Sequence, residues 1–205
     1  VQAQLNNTIS VVLDAAGNQL ICDINNHRIR RVDRQTGLIS TWGGTGEKLP
    51  TPDGSPVIRA PLYGPRTLAV AKNGDVIIVL REGHAVYRVN AQTKTVHHVA
   101  GTGTGGYSGD GGDAKLAQVN GPKGVALAPN GDIWLADTQN HAIRIISVKT
   151  GLITSVVGDG QPGDGPDGDP AKCRLHHPHG IYIAKDGTAY VGDSSNHKVR
   201  RLSVK

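Results

Sequence analysis

The chain has 205 residues, of which 28 are glycine and 11 are proline, and it contains neither methionine nor phenylalanine. A glycine-rich sequence with frequent Val and Ile favours short strands joined by tight turns and argues against a helical protein. The formal net charge is +5, but the basic residues are dispersed and only two Trp and five Tyr could stack on bases. We therefore expect no nucleic-acid binding. No apolar run reaches the roughly 18 residues of a membrane span, so we expect none.

One motif recurs along the chain at a nearly constant interval. It reads DINNHRIRR at 23–31, DTQNHAIRI at 137–145 and DSSNHKVRR at 193–201, with a degenerate copy, LREGHAVYR, at 80–88. Its histidines are separated by 57, 57 and 56 residues: His27, His84, His141 and His197. A catalytic or metal site is normally built once per domain. A motif at a fixed period instead indicates an internal structural repeat.

The repeats divide one domain into segments of approximately 1–62, 63–119, 120–176 and 177–205. The third segment shows four strands most clearly, with the sequences GVALA, DIWLAD, AIRIISV and LITSVVG. Asn130-Gly131 between the first two predicts a two-residue hairpin turn with positive φ at both positions. The third strand alternates apolar Ile143 with polar Arg144. Four antiparallel strands in about 57 residues predict an all-β fold made of β-propeller blades.

The other segments follow the same plan. Their first turns are Gly17-Asn18, Asn73-Gly74 and Asp186-Gly187, and the linkers place Asp53-Gly54, Asp110-Gly111 and Asp167-Gly168 at steps of 57. Such regular linkers are expected to be structured parts of the repeat. Cys22 and Cys173 stand at non-equivalent positions, so we expect two free thiols.

Val1 falls inside a linker, and Lys205 falls at the end of the third strand of the fourth repeat. An unpaired sheet edge and exposed apolar blade faces would be unstable alone. We therefore expect the remaining blades of a longer ring, or a second chain, to complete the propeller.

We interpret the recurrent motif as scaffold. An Asp in the loop between the second and third strands can accept hydrogen bonds from loop amides, and an Asn there tolerates the left-handed conformation. The His ring is expected to pack on the neighbouring blade with one nitrogen hydrogen-bonded. The structural set is therefore Asp23, Asn26, His27, His84, Asp137, Asn140, His141, Asp193, Asn196 and His197.

Ligand binding is expected where loops and the starts of the first strands share one face, at the mouth of the channel. Basic side chains occupy equivalent positions there, in GPRT, GPKG and HPHG, and predict an anionic or polar ligand. The second repeat has Leu80 and Gly83 where the others have Asp and Asn, so its loop must be held differently. The candidate ligand-binding residues are Arg66, Lys123, His179, His177, Arg81 and Glu82.

The motif resembles the NHL repeat. Asn26-His27, Asn140-His141 and Asn196-His197 carry the first two letters, followed after one residue by Ile29, Ile143 or Val199. The linkers resemble those of the long-repeat bacterial members. The resemblance implies a β-propeller, usually of six blades, and is compatible with binding modules and with enzymes. It also implies a secreted or extracytoplasmic location, with a protein or a small polar or anionic ligand as partner.

Two metal alternatives follow from local sequence. HHPHG resembles the Pro-His-Gly segment of zinc-dependent peptidyl-hydroxyglycine (amidoglycolate) lyases, but only His179 matches, and His177 would add a second ligand where zinc needs three or four. Arg66 and Lys123 stand at the equivalent positions and would repel a cation. Calcium ligands could come from the third linker: Asp159, Asp164, Asp167 and Asp169. We expect a non-catalytic binding or scaffold module without a cofactor, with the zinc lyase as the alternative.

Overall fold

A computed structural model describes residues 3–203, so the placements expected for Val1 and Lys205 lie outside the described residues. The chain divides into two compact units, Val1–His98 and Val99–Lys205. Its strands form four antiparallel sheets, and each sheet falls within one predicted repeat. The all-β fold built from propeller blades is therefore confirmed.

The strands of each sheet pair in sequence order. The first sheet comprises β1 (Thr8–Leu13), β2 (Gln19–Asp23), β3 (Arg28–Val32) and β4 (Ile39–Gly43). The second comprises β5 (Pro65–Val70), β6 (Val76–Leu80), β7 (Ala85–Val89) and β8 (Val96–Ala100). The third comprises β9 (Gly124–Leu127), β10 (Ile133–Asp137), β11 (Ala142–Ile146) and β12 (Ile153–Val157). Within residues 3–203 the fourth comprises β13 (Pro178–Ile183), β14 (Ala189–Asp193) and β15 (Lys198–Leu202).

The helical segments of the described residues are short 3₁₀ turns: Ile24–Asn26, Val57–Arg59, Ala114–Leu116, Thr138–Asn140 and Ser194–Asn196. None of these, within residues 3–203, has the length and apolar character that a membrane-spanning helix requires. Three of them follow the second strand of a sheet and form the loops of the recurrent motif.

The turn between the first two strands differs from the predicted two-residue hairpin. In the third sheet the loop runs over residues 128–132, and Gly131, but not Asn130, has a positive φ, of 93°. The Ala128 N–H donates to the Asp132 carbonyl and the Gly131 N–H to the Ala128 carbonyl, both at 2.9 Å. The Asn130 side chain instead bonds Asp132. The prediction was wrong because this amide closes a longer loop, in which only the glycine needs the left-handed region.

Each unit has its own apolar core. In the first unit, Leu20, Ile29 and Ile78 are fully buried together. In the second, Ile143 of the third sheet and Val191 of the fourth meet in one cluster. Alternation along each strand directs these side chains to the same face, and burying one of them contributes roughly 1.5–3 kcal/mol.

The linkers are ordered, as their regular spacing predicted. Asp53 Oδ1 accepts a hydrogen bond from the His98 N–H at 2.8 Å. Asp110 Oδ1 accepts one from the Ser155 N–H at 2.9 Å. Each of these linkers is therefore bonded to the fourth strand of the sheet that follows it.

Gly158, which follows β12, lies against the loop of the recurrent motif. Its φ is 90°, and a Cβ there would lie 2.2 Å from the His141 carbonyl oxygen. Gly44 has the same role in the first sheet, where a Cβ would lie 2.4 Å from the His27 carbonyl oxygen. The chain can pass this close to the motif loop after the fourth strand only because glycine has no side chain.

We expect Gly158→Ala to lower the free energy of unfolding by about 2–4 kcal/mol, because it adds a backbone clash to an unfavourable φ. Gly151→Ala is the matched control: its φ is 73°, and nothing lies within 4 Å of the added Cβ. The free energy of unfolding of that variant should fall by only about 1 kcal/mol. Urea denaturation of both would measure the difference, and equal losses would contradict the steric explanation.

Candidate ligand-binding site

The aspartate of each regular motif loop holds backbone and side-chain donors. Asp137 Oδ1 accepts from the Asn120 N–H at 2.7 Å, and Oδ2 accepts from Asn140 Nδ2 at 2.9 Å. Asp193 repeats this arrangement with the His176 N–H at 2.7 Å and Asn196 Nδ2 at 2.8 Å. Asp23 bonds the Asn6 N–H and Asn26 in the same way. These carboxylates tie the loop to the chain that enters the sheet.

The histidine, and not the asparagine, takes the left-handed conformation in these loops. His27, His84, His141 and His197 have φ between 44° and 54°. In each regular loop the asparagine ends the 3₁₀ turn, and the histidine N–H bonds the first carbonyl of that turn. The expectation that Asn supplies the positive φ was wrong, because the residue that closes the turn is the one that must redirect the chain into the third strand.

The imidazole of the motif bonds the following repeat, as expected. His27 Nδ1 accepts from the Gly64 N–H at 3.2 Å, and His141 Nδ1 accepts from the His177 N–H at 3.1 Å. The rings also make matching contacts, with centroids 5.3 Å apart for His27 and Tyr63 and 5.5 Å apart for His141 and His176. The motif histidine therefore positions the segment that precedes the first strand of the next sheet.

An arginine, buried in the third and fourth repeats and half-buried in the first, completes the regular loops, a role that the strand pattern did not predict. Arg144 is fully buried, with Nη1 3.3 Å from Asp137 and Nη2 2.7 Å from Asp110. Arg200 Nε lies 2.8 Å from Asp193, and Arg30 Nη1 lies 3.8 Å from Asp23. The signal was available, because each arginine stands three residues after the motif histidine.

Burial raises the pKa of Asp137 to about 6. Hydrogen bonds from Asn120, Asn140 and Arg144 oppose this shift, since all three donate to the ionised carboxylate. At neutral pH the loop therefore contains a buried ion pair.

The degenerate second repeat lacks both members of the ion pair. Leu80 replaces the aspartate, and Tyr87 replaces the arginine. Its loop is held by backbone bonds, from the Arg81 N–H to the Gly64 carbonyl at 2.9 Å and from the Gly83 N–H to the Tyr63 carbonyl at 3.1 Å. Arg81 and Glu82, both half-buried, form a salt bridge of 3.1 Å. The two candidate residues of this loop thus neutralise each other.

The candidate basic residues stand where the first strand of a sheet begins, and the strand pairing is irregular at two of these places. The pairing register shifts around Arg66 in β5 and around His179 in β13. A bulge of this kind redirects a side chain out of the ladder. In the first unit, burial and next the charge of Arg81 lower the pKa of Arg66. In the second unit, Lys123 Nζ lies 2.8 Å from His179 Nε2.

Three imidazoles gather beside this pair in the second unit. Ring nitrogens of His141, His176 and His177 lie within 4.8 Å of one another. Burial, then His176 and then Lys123, lower the pKa of His177. We call Lys123, His141, His176, His177 and His179 the histidine–lysine cluster.

His177 in this cluster has an unusual backbone. Its φ is 48°, and the equivalent residues of the first three repeats are Asn7, Gly64 and Gly121, with φ of 58°, 67° and 52°. A non-glycine residue in this region costs on the order of 1 kcal/mol. The His177 Nδ1 atom lies 3.3 Å from Ser195 Oγ. An imidazole therefore stands at a left-handed position that the other repeats fill with asparagine or glycine, which adopt this conformation more readily.

The spacing of the three imidazoles is that of a metal site, but the protonation of His141 opposes one. Because His141 Nδ1 accepts the His177 N–H, the proton of the neutral ring must lie on Nε2. Coordination through Nε2 would move that proton to Nδ1, where it would face the N–H. His179, the residue that resembles the lyase segment, is outside this three-histidine group.

The acidic linker that could bind calcium carries ion pairs. Asp159 pairs with Arg174 at 2.9 Å, Asp164 with Lys198 at 2.7 Å, and Asp169 with Lys172 at 3.7 Å. Asp164 and Asp167 also both contact Arg200. Hydrogen bonds from Lys198 and then Arg200 lower the pKa of Asp164. The four carboxylates thus point to basic side chains, and calcium binding stays a prediction from composition.

Comparison with known proteins identifies the repeat. The model of the NHL repeat matches residues 119–146 and 175–202, which contain the motif loops of the third and fourth sheets. The chain is an NHL-repeat protein. The family predicted from the Asn-His motif is therefore confirmed, and its scaffold consists of the loops described above.

Relatives of this NHL-repeat protein are longer than the chain. Protein SUPPRESSOR OF QUENCHING 1, chloroplastic, from Arabidopsis thaliana is 26% identical over 98% of this chain and 20% of its own length. NHL repeat-containing protein 2 from Homo sapiens is 26% identical over 90% of this chain and 29% of its own length. The chain thus spans less than a third of either relative.

Solved structures share the fold at low identity. An auxiliary nutrient binding protein from Bacteroides ovatus has a TM-score of 0.76 and 18% identity, over 98% of this chain and 49% of that one. A streptogramin B lyase has a TM-score of 0.61 and 12% identity, over 100% of this chain and 57% of that one. These likenesses establish the fold alone, since proteins with either kind of name adopt it.

The ion pair of the third repeat gives a direct test of the scaffold. We expect Asp137→Ala to lower the free energy of unfolding by about 1–3 kcal/mol, because the donors of Asn120 and Asn140 would lose their acceptor and buried Arg144 would keep only Asp110. The double variant Asp137→Leu/Arg144→Tyr, which copies the second repeat, should recover much of that loss. Chemical denaturation measures both, with Asp186→Ala in an exposed turn as a control near zero. A double variant as unstable as Asp137→Ala would contradict this account.

Proposed function

We propose that this protein is a non-catalytic binding module and that it binds an anionic ligand at the histidine–lysine cluster. The observation that carries the proposal is His177, an imidazole at φ 48° where the second and third repeats have glycine and the first has Asn7. The scaffold does not need an imidazole at this position, since Gly64 makes the same bond to its motif histidine.

The charges of the cluster favour an anion. Lys123 Nζ lies 2.8 Å from His179 Nε2, so the lysine places a positive charge among the imidazoles of the cluster. Asp193, whose charge acts on His141, is already held by Asn196 and Arg200. A carboxylate or phosphate placed here would accept charge-assisted hydrogen bonds from Lys123 and from a protonated imidazole.

The fold of the relatives is compatible with this role. One solved structure of the same fold is named as an auxiliary nutrient binding protein. Binding residues are often found on loops that a rigid β-sheet scaffold holds in place. Arg66 offers a comparable basic position in the first unit, and we include it as a separate test. The ligand we propose is a small carboxylate or phosphate.

The alternative is a zinc-dependent lyase, which the spacing of His141, His176 and His177 favours. The proton that His141 must keep on Nε2 argues against it. Calorimetric titration of the purified protein with zinc should therefore show no stoichiometric high-affinity site. Stoichiometric zinc that is lost in both His176→Ala and His177→Ala would replace the anion proposal.

Anion-dependent thermal stabilisation tests the proposal, with phosphate and citrate as ligands. Binding should strengthen as pH falls below about 6.5, the ordinary imidazole pKa, because the pKa of His177 is lowered in the free protein and a bound anion favours its protonated form. Lys123→Ala should lose most of the stabilisation, and Lys149→Ala, an exposed lysine of the same unit, should keep it. Equal shifts in both variants would remove the cluster as the site.

His177→Gly separates function from folding. Glycine is favoured at this φ, so the variant should be as stable as the wild type or more stable, by up to about 1 kcal/mol. Its anion-dependent shift should nevertheless be smaller than that of the wild type at pH 6. Arg66→Ala, measured alongside, reports whether the first unit contributes. A His177→Gly protein with lower stability and an unchanged anion shift would show that His177 serves the scaffold.

A further inference from the structure

A groove lies between the first and second sheets, within the first unit. Its volume is about 320 Å³, and it is lined by residues of β3 and β4, of the linker at 56–58 and of the turn before β8. Arg31 pairs with Ser40, so the two side chains lie on the same face of the sheet, and alternation places Trp42 on that face as well. We call this the Trp42 groove.

The Trp42 groove is enclosed by the linker that follows β4. Val57 packs against Gly43 at the end of that strand, where a Cβ would lie 2.6 Å from Val57 Cγ2. In the third sheet the preceding linker bonds Ser155, whose side chain lies on the other face of β12 from Val156, the equivalent of Trp42. Both walls of the groove therefore come from residues 31–94.

Trp42 is an unusual residue for its place in the repeat. It is the fourth residue of β4, and Val99 and Val156 stand at the equivalent positions of β8 and β12. Its indole packs on the core of the first unit but is only half-buried. Among residues 3–203, its Nε1 has no hydrogen-bond partner. The groove thus contains a large aromatic surface and an available N–H donor.

Ile58 adds a second apolar surface that the repeat does not require. It is 49% exposed, and the residues 57 and 114 places later, in the next two linkers, are Lys115 and Lys172. A single exposed aliphatic side chain has no special meaning. Here, however, Ile58 lines one concave surface together with Trp42 and buried Val57.

Lys94 places a cation at the rim of the groove. Its φ is 58°, and the equivalent residues of the first and third sheets are Gly37 and Gly151, with φ of 67° and 73°. The Lys94 carbonyl accepts from the Val57 N–H at 2.8 Å, as the Gly151 carbonyl accepts from the Ala114 N–H at 2.9 Å. Glycine makes the same bond and adopts this φ more readily, so the turn does not need a lysine.

The charge of Lys94 is available to a ligand. Within residues 3–203 no carboxylate lies within 4 Å of its Nζ. Arg31, the other cation of the groove, is already paired with Asp33 at 2.9 Å. The net charge of the lining is therefore positive, and its uncompensated part is the ammonium of Lys94.

We propose that the Trp42 groove binds a small arylalkanoate, a carboxylate that carries an aromatic ring on a short chain. The ring packs on Trp42 and Ile58, and the carboxylate accepts a charge-assisted hydrogen bond from Lys94. The groove volume is at the lower end of the range of small-molecule pockets, roughly 300–1,000 Å³. None of its residues belongs to the histidine–lysine cluster, so this site is independent of the proposed function.

Nuclear magnetic resonance of the 205-residue chain provides a direct test, because it has only two tryptophans, Trp42 and buried Trp134. Trp134→Phe assigns their indole N–H signals. Titration with 3-phenylpropionate should shift the Trp42 signal saturably and leave the Trp134 signal unchanged. The uncharged amide, 3-phenylpropanamide, should bind about tenfold more weakly. Acetate, which lacks the ring, should give no saturable shift at the same concentrations.

Variants separate the charge and the apolar surface from the scaffold. Lys94→Gly, which copies the other repeats, should weaken 3-phenylpropionate binding about tenfold and leave the melting temperature equal or higher. Ile58→Lys, which copies the next linker, should also weaken binding. Lys72→Ala, in an exposed turn of the same unit, should bind as the wild type does. Lys123→Ala, which removes the proposed anion site, should keep the Trp42 shift as well.

Three results would overturn the proposal. The first is the absence of a saturable Trp42 shift at about 10 mM 3-phenylpropionate. The second is equal affinity for the carboxylate and the amide, or for the wild type and Lys94→Gly. The third is loss of the Trp42 shift in Lys123→Ala, which would assign the binding to the histidine–lysine cluster.

Discussion

The structure depends on a buried carboxylate in the loop between the second and third strands of each regular sheet. Asp137 shows its role most fully, because it collects a backbone amide, an asparagine side chain and the guanidinium of Arg144. Three separate segments of the chain meet at this one charge. A buried ion is tolerated only when its hydrogen bonds are complete. That requirement fixes where the linker, the loop and the third strand lie relative to one another.

The second repeat shows that the charge can be replaced but not simply removed. There Leu80 and Tyr87 occupy the places of the carboxylate and the guanidinium, and backbone hydrogen bonds to Tyr63 and Gly64 hold the loop. An apolar pair avoids the cost of removing two charges from water. In the first and third repeats, the motif histidine then makes the contact with the next repeat. Positions that neither solution uses are free to vary, and His177 stands at one of them.

Much of the fold could be predicted from the sequence because the same motif and turn residues recur in each repeat. The motif spacing located the four sheets and the family, and the step of 57 between Asp53, Asp110 and Asp167 indicated ordered linkers. Individual conformations were harder to predict. Asn has the better intrinsic tolerance of positive φ, yet the turn geometry assigned that conformation to His27 and its equivalents. Arg144 looked like the polar side of an alternating strand, whereas it is buried beside Asp110.

The sequence by itself determined the period, the strand order within each blade and the scaffold nature of the Asp–His loops, because these follow from short-range patterns repeated four times. Only the tertiary structure brought Lys123 to His179, and His141 to His176 and His177. Those side chains come from different sheets and from a linker, so their proximity depends on packing between sheets. Spacing along a chain cannot report such contacts, because the distance between two blades is set by the side chains packed between them.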